Sequence, residues 1–315
     1  MTSRHVALVT AAAARELDED LAPLESALRE AGADVAAVDW DDAGADWSCF
    51  DLAVLRSPWD YTQRLPEFLA WAERTASATR LVNPLPVIRW NTDKHYLCDL
   101  EKSGVAIVPS TFVEPGEDAQ NALNGFLDAH TGNGPLPPSA SFPACEGRKG
   151  MEFVVKPAIG AGSRDAQRHH ASEHEAAVAH VRRLLDARRS VLLQPYLDRV
   201  DEHGETALIF FDGKFSHAIR KGPLLRRGEG PTRALFAAEH IAPREPGMSE
   251  RTLAERALAA IPCGKPLLYA RVDLIQDADG TPRLLELELT EPSLFFDHAP
   301  GSASRFAQAI LHRAT

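Results

Sequence analysis

Residues 267–289 read LLYARVDLI, QDADGTP and RLLELEL, two apolar runs of β-forming residues around a segment that holds an Asp-Gly dipeptide. This pattern predicts a two-stranded antiparallel hairpin. With Asp279-Gly280 at the centre of the turn, Asp273 lies opposite Glu286 and Arg271 lies opposite Glu288. Because side chains alternate between the two faces of a strand, all four charged groups should share one face.

The charged face of this hairpin holds three carboxylates and one arginine. Carboxylates that lie this close repel one another strongly unless a cation lies among them. Mg²⁺ binds carboxylate oxygens, usually together with the phosphates of a substrate. The alternative is a solvated strand face with charges of alternating sign, but the neighbouring residues are too apolar for an exposed ribbon. We therefore interpret Asp273, Glu286 and Glu288 as magnesium ligands.

The size and charge of the chain narrow the functional classes. Its 315 residues suit two or three packed units, and its 44% hydrophobic and 25% charged residues are ordinary for a globular protein. The net charge of -11, with no basic block, argues against a nucleic-acid partner. No segment is long enough to span a bilayer. Four scattered cysteines predict buried, reduced thiols in a cytoplasmic protein, namely Cys49, Cys98, Cys145 and Cys263.

Three units are predicted along the chain. The first alternates short strands and helices, which predicts a layer of parallel strands. The Asn83-Pro84-Leu85-Pro86 stretch marks its end, and a helix capped by Asn91 is expected to run from about Thr92 to just before Gly104. The predicted units are 1–90, 91–194 with a loop-rich insertion at about 114–150, and 195–315.

A strand that ends in Lys156 runs into a loop of small residues, in the stretch FVVKPAIGAGSR (153–164). Glycines such as Gly160 and Gly162 let backbone N–H groups close on a phosphate, and a lysine adds a positive charge. The loop lacks the third glycine of a dinucleotide fingerprint and the Gly-Lys-Ser/Thr ending of a P-loop. By itself it favours an ordinary turn over a phosphate-binding loop.

Two segments after this loop are candidate binding elements. The strand at 191–194 runs into Pro195, where unpaired backbone groups would be available to an adenine edge; a plain strand end is the alternative. A second hairpin, centred on Asp212-Gly213, places Glu205 opposite Arg220, with Lys221 next to it. An exposed cross-strand ion pair is the alternative interpretation of that contact.

The loop RSPWDY (56–61) follows a buried strand of the first unit. Ligands of open α/β sheets bind beyond the carboxyl ends of the strands. A loop that combines arginine, aspartate and two aromatic residues at this place slightly favours a substrate site over a purely structural role.

Taken in order, these pieces resemble the ATP-grasp superfamily of carboxylate–amine ligases over most of the chain. Each motif is modest, but the order and the spacing are specific. The resemblance implies an α/β (α+β) ATP-grasp fold, with a Rossmann-like N-terminal domain and two α+β lobes that clamp ATP. The matching pieces are Lys94 at a helix start, Val-Val-Lys156-Pro with its glycine-rich loop, Gln194-Pro-Tyr, Gly204-Glu205 with Arg220-Lys221, Arg271-Val-Asp273 and Glu286-Leu-Glu288.

The resemblance also implies a role for each matching residue. In such ligases two lysines hold the ATP phosphates, a hinge binds adenine, an acid binds ribose, and late carboxylates bind Mg²⁺. Family members commonly carry Glu-x-Asn where this chain has Glu286-x-Glu288, so the number of Mg²⁺ ions stays open. The implied sets are Lys94, Lys156, Gly160, Gly162, Ser163, Gln194, Tyr196, Leu197 and Glu205 for ATP; Arg271, Lys221 and Arg220 for catalysis; and Asp273, Glu286 and Glu288 for Mg²⁺.

The loop at 56–61 and the segment ELTEPSL (288–294) resemble a narrower branch of the superfamily. That branch includes the ligase that closes the ring of cycloserine from an O-ureido-serine precursor, and other small amino-acid ligases. The resemblance implies that a carboxylate is activated as an acyl phosphate and then bonded to nitrogen of the same molecule or of a second amino acid. The expected substrate contacts are Arg56, Trp59, Asp60, Tyr61, Glu291 and Ser293.

Two other classes of function remain as alternatives. A nucleotide-binding regulatory module without turnover is disfavoured by the near-complete phosphate and metal set. Ligation of a peptide tag onto a protein would need a basic docking surface, which this acidic chain lacks. The expected partner is a small amino-acid-like molecule, without nucleic acid or membrane, and a homo-oligomer is compatible with the sequence.

Overall fold

The computed structural model describes residues 3–130, 150–230, 240–262 and 267–314. Its strands in these ranges form one five-stranded and two four-stranded sheets. The predicted mixed α/β architecture is confirmed.

The N-terminal sheet consists of parallel strands and is accompanied by two helices. In chain order these elements are β1 (His5–Thr10), α1 (Leu21–Glu30), β2 (Asp34–Asp39), β3 (Leu52–Ser57), α2 (Leu65–Ala78) and β4 (Arg80–Val82). The sheet order is β2-β1-β3-β4, and every residue of β3 is buried, as expected for a parallel strand covered on both faces. The predicted parallel layer is confirmed, although β4 is too short to show a sequence pattern.

Two short helices connect this sheet to the rest of the chain. They are α3 (Leu85–Asn91) and α4 (Tyr96–Lys102). The prediction of one helix from Thr92 with Asn91 as its cap is wrong, because Asn91 ends the first helix and Lys94 lies in the turn before the second. The Asn91 amide donates to the carbonyl of Leu287 and accepts from the N–H of Leu289, both at 2.7 Å. It therefore ties the Lys94 turn to the charged hairpin.

The central sheet is antiparallel, with the strand order β5-β8-β6-β7. Its elements are β5 (Thr111–Val113), α5 (Ala119–His130), β6 (Glu152–Pro157), β7 (Gln167–His170), α6 (His174–Asp186) and β8 (Val191–Pro195). Leu123 and Phe126 of α5 pack in the core of this sheet, so the first part of the predicted loop-rich insertion is a structural helix. The remainder, 131–149, lies outside the described residues.

The C-terminal sheet has five strands in the order β11-β10-β9-β12-β13. Its elements are α7 (Arg199–His203), β9 (Glu205–Phe211), β10 (Lys214–Lys221), β11 (Ile241–Pro243), α8 (Met248–Ala259), β12 (Tyr269–Gln276), β13 (Pro282–Glu288) and α9 (Ser302–Arg313). The strand β9 is buried along its whole length, because it lies between two neighbours in the middle of the sheet.

The β12–β13 hairpin has the predicted cross-strand pairs at its charged end. The turn, however, is not centred on Asp279-Gly280: Gln276 pairs with Pro282, which places the centre on Asp279. An unpaired residue, Leu285, forms a β-bulge that restores the predicted register towards the site. The predicted pairing is correct because the bulge offsets the displaced turn.

The β9–β10 hairpin differs from its prediction. A bulge at Ser216 shifts the register by one residue, so Glu205 pairs with Lys221 instead of Arg220. Because a shift of one residue exchanges the two faces of a strand, Lys221 and not Arg220 shares the face of Glu205. The predicted pairing of Glu205 with Arg220 is wrong.

The N-terminal and C-terminal sheets share one hydrophobic core. Leu8 of β1 and Leu24 of α1 belong to the same buried cluster as Ile209 of β9 and Phe306 of α9. The sheets are thus joined by packing over a long sequence separation. The division of the chain at 90 and 194 stays a proposal.

Two remaining predictions concern thiols and membranes. Cys49 is an exposed free thiol and Cys98 is partly exposed, so the predicted burial is wrong for Cys49. Cys145 and Cys263 lie outside the described residues. Within the described ranges, none of the helices has the length and apolar composition that a membrane crossing requires.

Candidate active site

A cleft of about 620 Å³ lies where the three sheets meet. It collects most of the predicted site residues, all of which belong to the described ranges. Three of them, Arg56, Asp60 and Arg220, are not part of the cleft lining. The predicted residues that line it are Trp59, Tyr61, Lys94, Lys156, Gly160, Gly162, Ser163, Gln194, Tyr196, Leu197, Glu205, Lys221, Arg271, Asp273, Glu286, Glu288, Glu291 and Ser293.

A set of charged side chains of the cleft lining forms a surface that we call the charged floor, made of Lys94, Lys156, Glu205, Lys221, Arg271, Asp273, Glu286 and Glu288. One half of the charged floor is centred on Asp273. Its carboxylate accepts from Arg271 Nε at 2.9 Å and from Lys221 Nζ at 2.9 Å. Lys221 also contacts Glu205, and Arg271 also contacts Glu288. Burial raises the pKa of Asp273, but Arg271 and Lys221 outweigh it and hold that pKa below its usual range.

The other half of the floor is centred on Glu286. Lys156 Nζ lies 2.7 Å and Lys94 Nζ 3.9 Å from Glu286 Oε1. Burial raises the pKa of this carboxyl group, but the two lysines outweigh burial and lower it to about 2. Lys94 Nζ also donates to the carbonyl of Gly160 at 2.8 Å, which links the floor to the glycine-rich loop.

The pKa of Glu288 is shifted in the opposite direction from the pKa of Glu286. Burial is the largest influence and raises its pKa to about 6, and the charges of Asp273 and Glu286 add to this although Arg271 opposes it. Arg271 therefore does not outweigh the effect of burial on Glu288.

The carboxylates suit a hard cation chemically, but they do not form a ready-made cage. Among the described residues, no three acidic, histidine or cysteine side chains are grouped closely enough to hold a metal ion. Glu286 and Glu288 keep about a quarter of their side-chain surface exposed, at 24% and 26%, so a cation can reach them. Their oxygens fit Mg²⁺ once the lysines beside Glu286 and the arginine beside Glu288 move to another anion.

The glycine-rich loop forms the roof over this floor. Gly162 and Ser163 both have positive φ angles, 62° and 60°, so the backbone turns sharply there. Asp165 at the end of the loop is held by Arg189 at 2.5 Å and by Arg183 at 3.1 Å. The loop is thus fixed from behind while its small residues face the cleft.

The predicted hinge lies at the carboxyl end of β8 in the central sheet. Gln194 is 1% exposed and donates to Ser110 Oγ at 2.9 Å. The N–H of Tyr196 donates to the carbonyl of Glu152, so this amide is not available to a ligand in this arrangement. The Arg168 guanidinium lies over the Tyr196 ring, 3.5 Å from its centroid.

Aromatic and acidic groups close the opposite end of the cleft. Tyr61 Oη donates to Glu291 Oε1 at 2.7 Å, and Trp59 Nε1 donates to the carbonyl of Glu291 at 3.0 Å. Burial raises the pKa of Glu291 to about 8, and the charge of Glu288 adds to the shift. A neutral carboxyl group at physiological pH can gain its charge when a cationic ligand enters.

Two predicted substrate residues lie elsewhere. Arg56 is fully buried and donates to the carbonyl of Pro292 at 3.2 Å, so it supports the cleft wall from behind. Asp60 accepts from Trp40 Nε1 at 2.8 Å. Neither side chain lines the cleft in this arrangement, and their contact with the substrate stays a prediction.

Arg220 is also misplaced by the prediction. The bulge at Ser216 places its side chain on the face opposite to that of Glu205, and it donates to the carbonyls of His203 and Glu202 at 2.7 and 2.9 Å. It packs against Gly204, where a Cβ atom would lie 2.4 Å from the carbonyl of Lys221. Only glycine fits this close approach at a φ of +70°.

Sequence reasoning missed several residues that shape the cleft. Asn91 fixes the chain around Leu287, and Tyr96 Oη accepts from the N–H of Leu287 at 2.8 Å. Asp20 and Phe295 line the cleft as well. Asp20 stands in an acidic stretch that gives no signal of a distant partner.

Comparison with known proteins identifies the family of this chain. A family model described as the N-terminal domain of D-cycloserine synthetase DcsG matches residues 6–83. The cycloserine biosynthesis protein DcsG of Streptomyces lavendulae is 43% identical over 312 residues, which cover 98% of each chain. The chain belongs to the DcsG family of ATP-grasp ligases. The predicted superfamily and enzyme class are confirmed.

Solved structures agree with the DcsG family assignment. The crystal structure of D-cycloserine synthetase DcsG has a TM-score of 0.87 at 42% identity, covering 99% of this chain and 100% of the other. The D-alanine–D-alanine ligase of Bacillus anthracis (TM-score 0.65, 13% identity, coverage 99% and 97%) shares the fold. So does the ATP-grasp ligase PsnB in complex with a phosphomimetic precursor variant, Mg and ADP (TM-score 0.62, 18% identity, coverage 100% of both).

Proposed function

We propose that the chain closes the ring of cycloserine from O-ureido-serine, with ATP as the source of energy and Mg²⁺ as the metal. The observation that carries this proposal is the position of Arg271. Its guanidinium contacts Asp273 and Glu288 on the charged floor, and donates to the carbonyl of Ser293 in the acidic and aromatic end at 3.2 Å. Arg271 thus contacts both the charged floor, which suits phosphate groups, and the acidic and aromatic end, which suits an amino acid.

ATP binding would replace the ion pairs between lysines and carboxylates with ion pairs between lysines and phosphates. In the described arrangement Lys94, Lys156 and Lys221 all face carboxylates. A triphosphate offers stronger anionic partners to these lysines, which frees Glu286 and leaves Asp273 with Arg271 as its remaining partner. Mg²⁺ held by these carboxylates would neutralise charge on the phosphates. Nucleotide and metal are therefore expected to bind together.

The acidic end suits a small amino acid. Glu291 can accept the substrate ammonium group, and the rings of Trp59, Tyr61 and Phe295 exclude water. The substrate carboxylate then points towards Arg271 and the terminal phosphate. This orientation follows from charge complementarity at the two ends of the cleft.

The reaction balances as two displacements and a hydrolysis. A carboxylate oxygen of O-ureido-serine attacks the terminal phosphorus, and the bond to ADP breaks, giving an acyl phosphate. The nitrogen bonded to the side-chain oxygen attacks the acyl carbon, and phosphate leaves and takes up the nitrogen's proton. Water removes the remaining carbamoyl group as carbon dioxide and ammonia, which gives cycloserine. The chain supplies mainly positioning and charge stabilisation.

The proposal is tested with O-ureido-serine, ATP and Mg²⁺, with ADP measured and products identified by mass spectrometry. We expect ADP and cycloserine in equal amounts from O-ureido-serine alone. Formation of a dipeptide only when a second amino acid is added would favour intermolecular ligation. ATP binding without ADP formation on any amino acid would favour a regulatory module.

We further infer that the chain acts in the cytoplasm on a small molecule. The support is the size of the cleft, the net charge of -11 and the need for ATP.

A further inference from the structure

The segment that follows β13 lines the cleft without regular secondary structure. Glu291, Ser293 and Phe295 all belong to its cleft-lining side. An irregular buried backbone needs partners for its polar groups, since each unpaired group costs stability. Here five consecutive carbonyls receive hydrogen bonds from side chains: Thr290 from Tyr269 Oη (2.8 Å), Glu291 from Trp59 Nε1 (3.0 Å), Pro292 from Arg56 Nη2 (3.2 Å), Ser293 from Arg271 Nη1 (3.2 Å) and Leu294 from His217 Nε2 (2.7 Å).

The N–H groups of the same segment are collected by one carboxylate. Asp20 Oδ2 accepts from the N–H groups of Leu294 at 2.5 Å and Phe295 at 3.1 Å, and Oδ1 accepts from Phe296 at 2.8 Å. Asp20 is 4% exposed. Three successive amides that converge on one anion form the kind of nest that commonly binds a ligand anion. Here a side chain of the protein occupies the nest.

The three hydrogen bonds that Asp20 accepts, which we call the clamp, also fix an unusual backbone conformation. Phe295 has φ 55° and ψ 47°, the left-handed region that a phenylalanine seldom adopts. Its ring lines the cleft, and Arg271 Cζ lies 5.6 Å from the ring centroid. Without the Asp20 carboxylate, the three amides would lose their partner and this turn would be free to relax.

We propose that Asp20 is a positioning residue that sets the shape of the amino-acid end of the cleft by clamping the turn at Leu294–Phe296. The proposal rests on the proposed function only for the identity of the substrate. Three of the six side chains that hold the segment, Asp20, Arg56 and Trp59, come from the N-terminal domain. The clamp therefore gives that domain a defined part in the geometry of the site.

The test combines backbone exchange with kinetics in Asp20→Asn. The amide group keeps the shape of aspartate but replaces one acceptor oxygen with a donor, so at least one clamped N–H loses its partner. Hydrogen–deuterium exchange of the peptide that covers 290–298 should accelerate by about tenfold. The KM for O-ureido-serine should rise by about tenfold, with ATP affinity within about twofold of wild type. Asp34→Asn, an exposed carboxylate 3.4 Å from His5, is the control and should change neither.

A second pair of variants covers the case in which Asp20→Asn does not fold. His217 is buried and holds the carbonyl of Leu294 from the other side. We expect His217→Leu to raise the KM for O-ureido-serine, and His217→Gln, which keeps a donor, to restore it largely. A purely structural role would not separate these two variants by KM while ATP affinity stays constant.

Two results would overturn the clamp. One is a folded Asp20→Asn variant with wild-type exchange across 290–298; the other is a parallel loss of ATP and amino-acid affinity in both Asp20→Asn and His217→Leu. Exchange is measured on the free enzyme, so it is independent of the substrate. A wild-type enzyme that is inactive on O-ureido-serine contradicts the proposed function, whereas unchanged exchange contradicts the clamp.

Discussion

At the scale of single residues, the carboxyl groups of the cleft differ in how strongly their neighbours favour the ionised form. Glu286 faces two lysines and is easily ionised, whereas Glu291 faces a tyrosine hydroxyl and has a pKa of about 8. Of these two glutamates, which are five residues apart, Glu286 is therefore ionised near neutral pH, whereas the charge of Glu291 depends on the pH. The difference follows from their neighbours and not from their residue type.

Glu291 predicts a pH dependence of substrate binding. Its raised pKa keeps the empty cleft protonated at this position below about pH 8, so an ammonium group must displace a proton in order to bind. The KM for the amino acid should therefore fall as the pH rises from about 7 to about 8.5. The measurement is KM against pH for wild type and Glu291→Gln. A Gln variant that keeps the same pH dependence would show that another group is titrating.

At the scale of elements, two β-bulges decide which side chains reach the cleft. The bulge at Leu285 restores the predicted pairing of β12 and β13, and the bulge at Ser216 shifts β10 by one residue. Turn dipeptides predict that a hairpin exists and roughly where it turns. They carry no information on an extra residue within a strand, and this is why the sequence pairs Glu205 with Arg220 where the structure pairs it with Lys221.

The bulge in β10 predicts opposite outcomes for two adjacent substitutions. Lys221→Met removes the cation between Glu205 and Asp273 and should lower kcat/KM by more than about 100-fold. Arg220→Met removes hydrogen bonds to backbone carbonyls on the opposite face, and should keep kcat/KM within about threefold while lowering the Tm. Steady-state kinetics and thermal unfolding of both variants provide the comparison. An activity loss confined to Arg220→Met would contradict the observed register.

At the scale of the whole molecule, residues far apart in sequence meet at the cleft. Lys156, Asp273 and the charged hairpin could be predicted because each lies in a local pattern of strand, turn and glycine residues. Asp20 and Asn91 could not, since their partners lie near residue 290 and only folding brings them together. Arg56 was predicted to follow a buried strand, whereas it lies within β3, and its burial and its contact with Pro292 depend on tertiary packing.

The shared core predicts that the N-terminal and C-terminal sheets unfold together. Phe306 is fully buried in α9 and stacks on Phe211 at a centroid distance of 4.6 Å, in the cluster that also holds Leu24. Phe306→Ala should lower the free energy of unfolding by about 3–5 kcal/mol, because it opens a cavity at this junction. Gln308→Ala, an exposed position on the same helix, is the control. Denaturant unfolding that leaves one sheet's transition unchanged would contradict a common core.

The central claim is that ATP activates the substrate carboxylate for ring closure within the same molecule. O-ureido-serine labelled with ¹⁸O in both carboxylate oxygens tests it most directly, with mass spectrometry of the phosphate and of the product. Attack of the carboxylate on the terminal phosphorus must transfer one labelled oxygen to phosphate, and cycloserine must retain the other. We predict one ¹⁸O in each, whereas unlabelled phosphate alongside cycloserine would contradict an acyl-phosphate route.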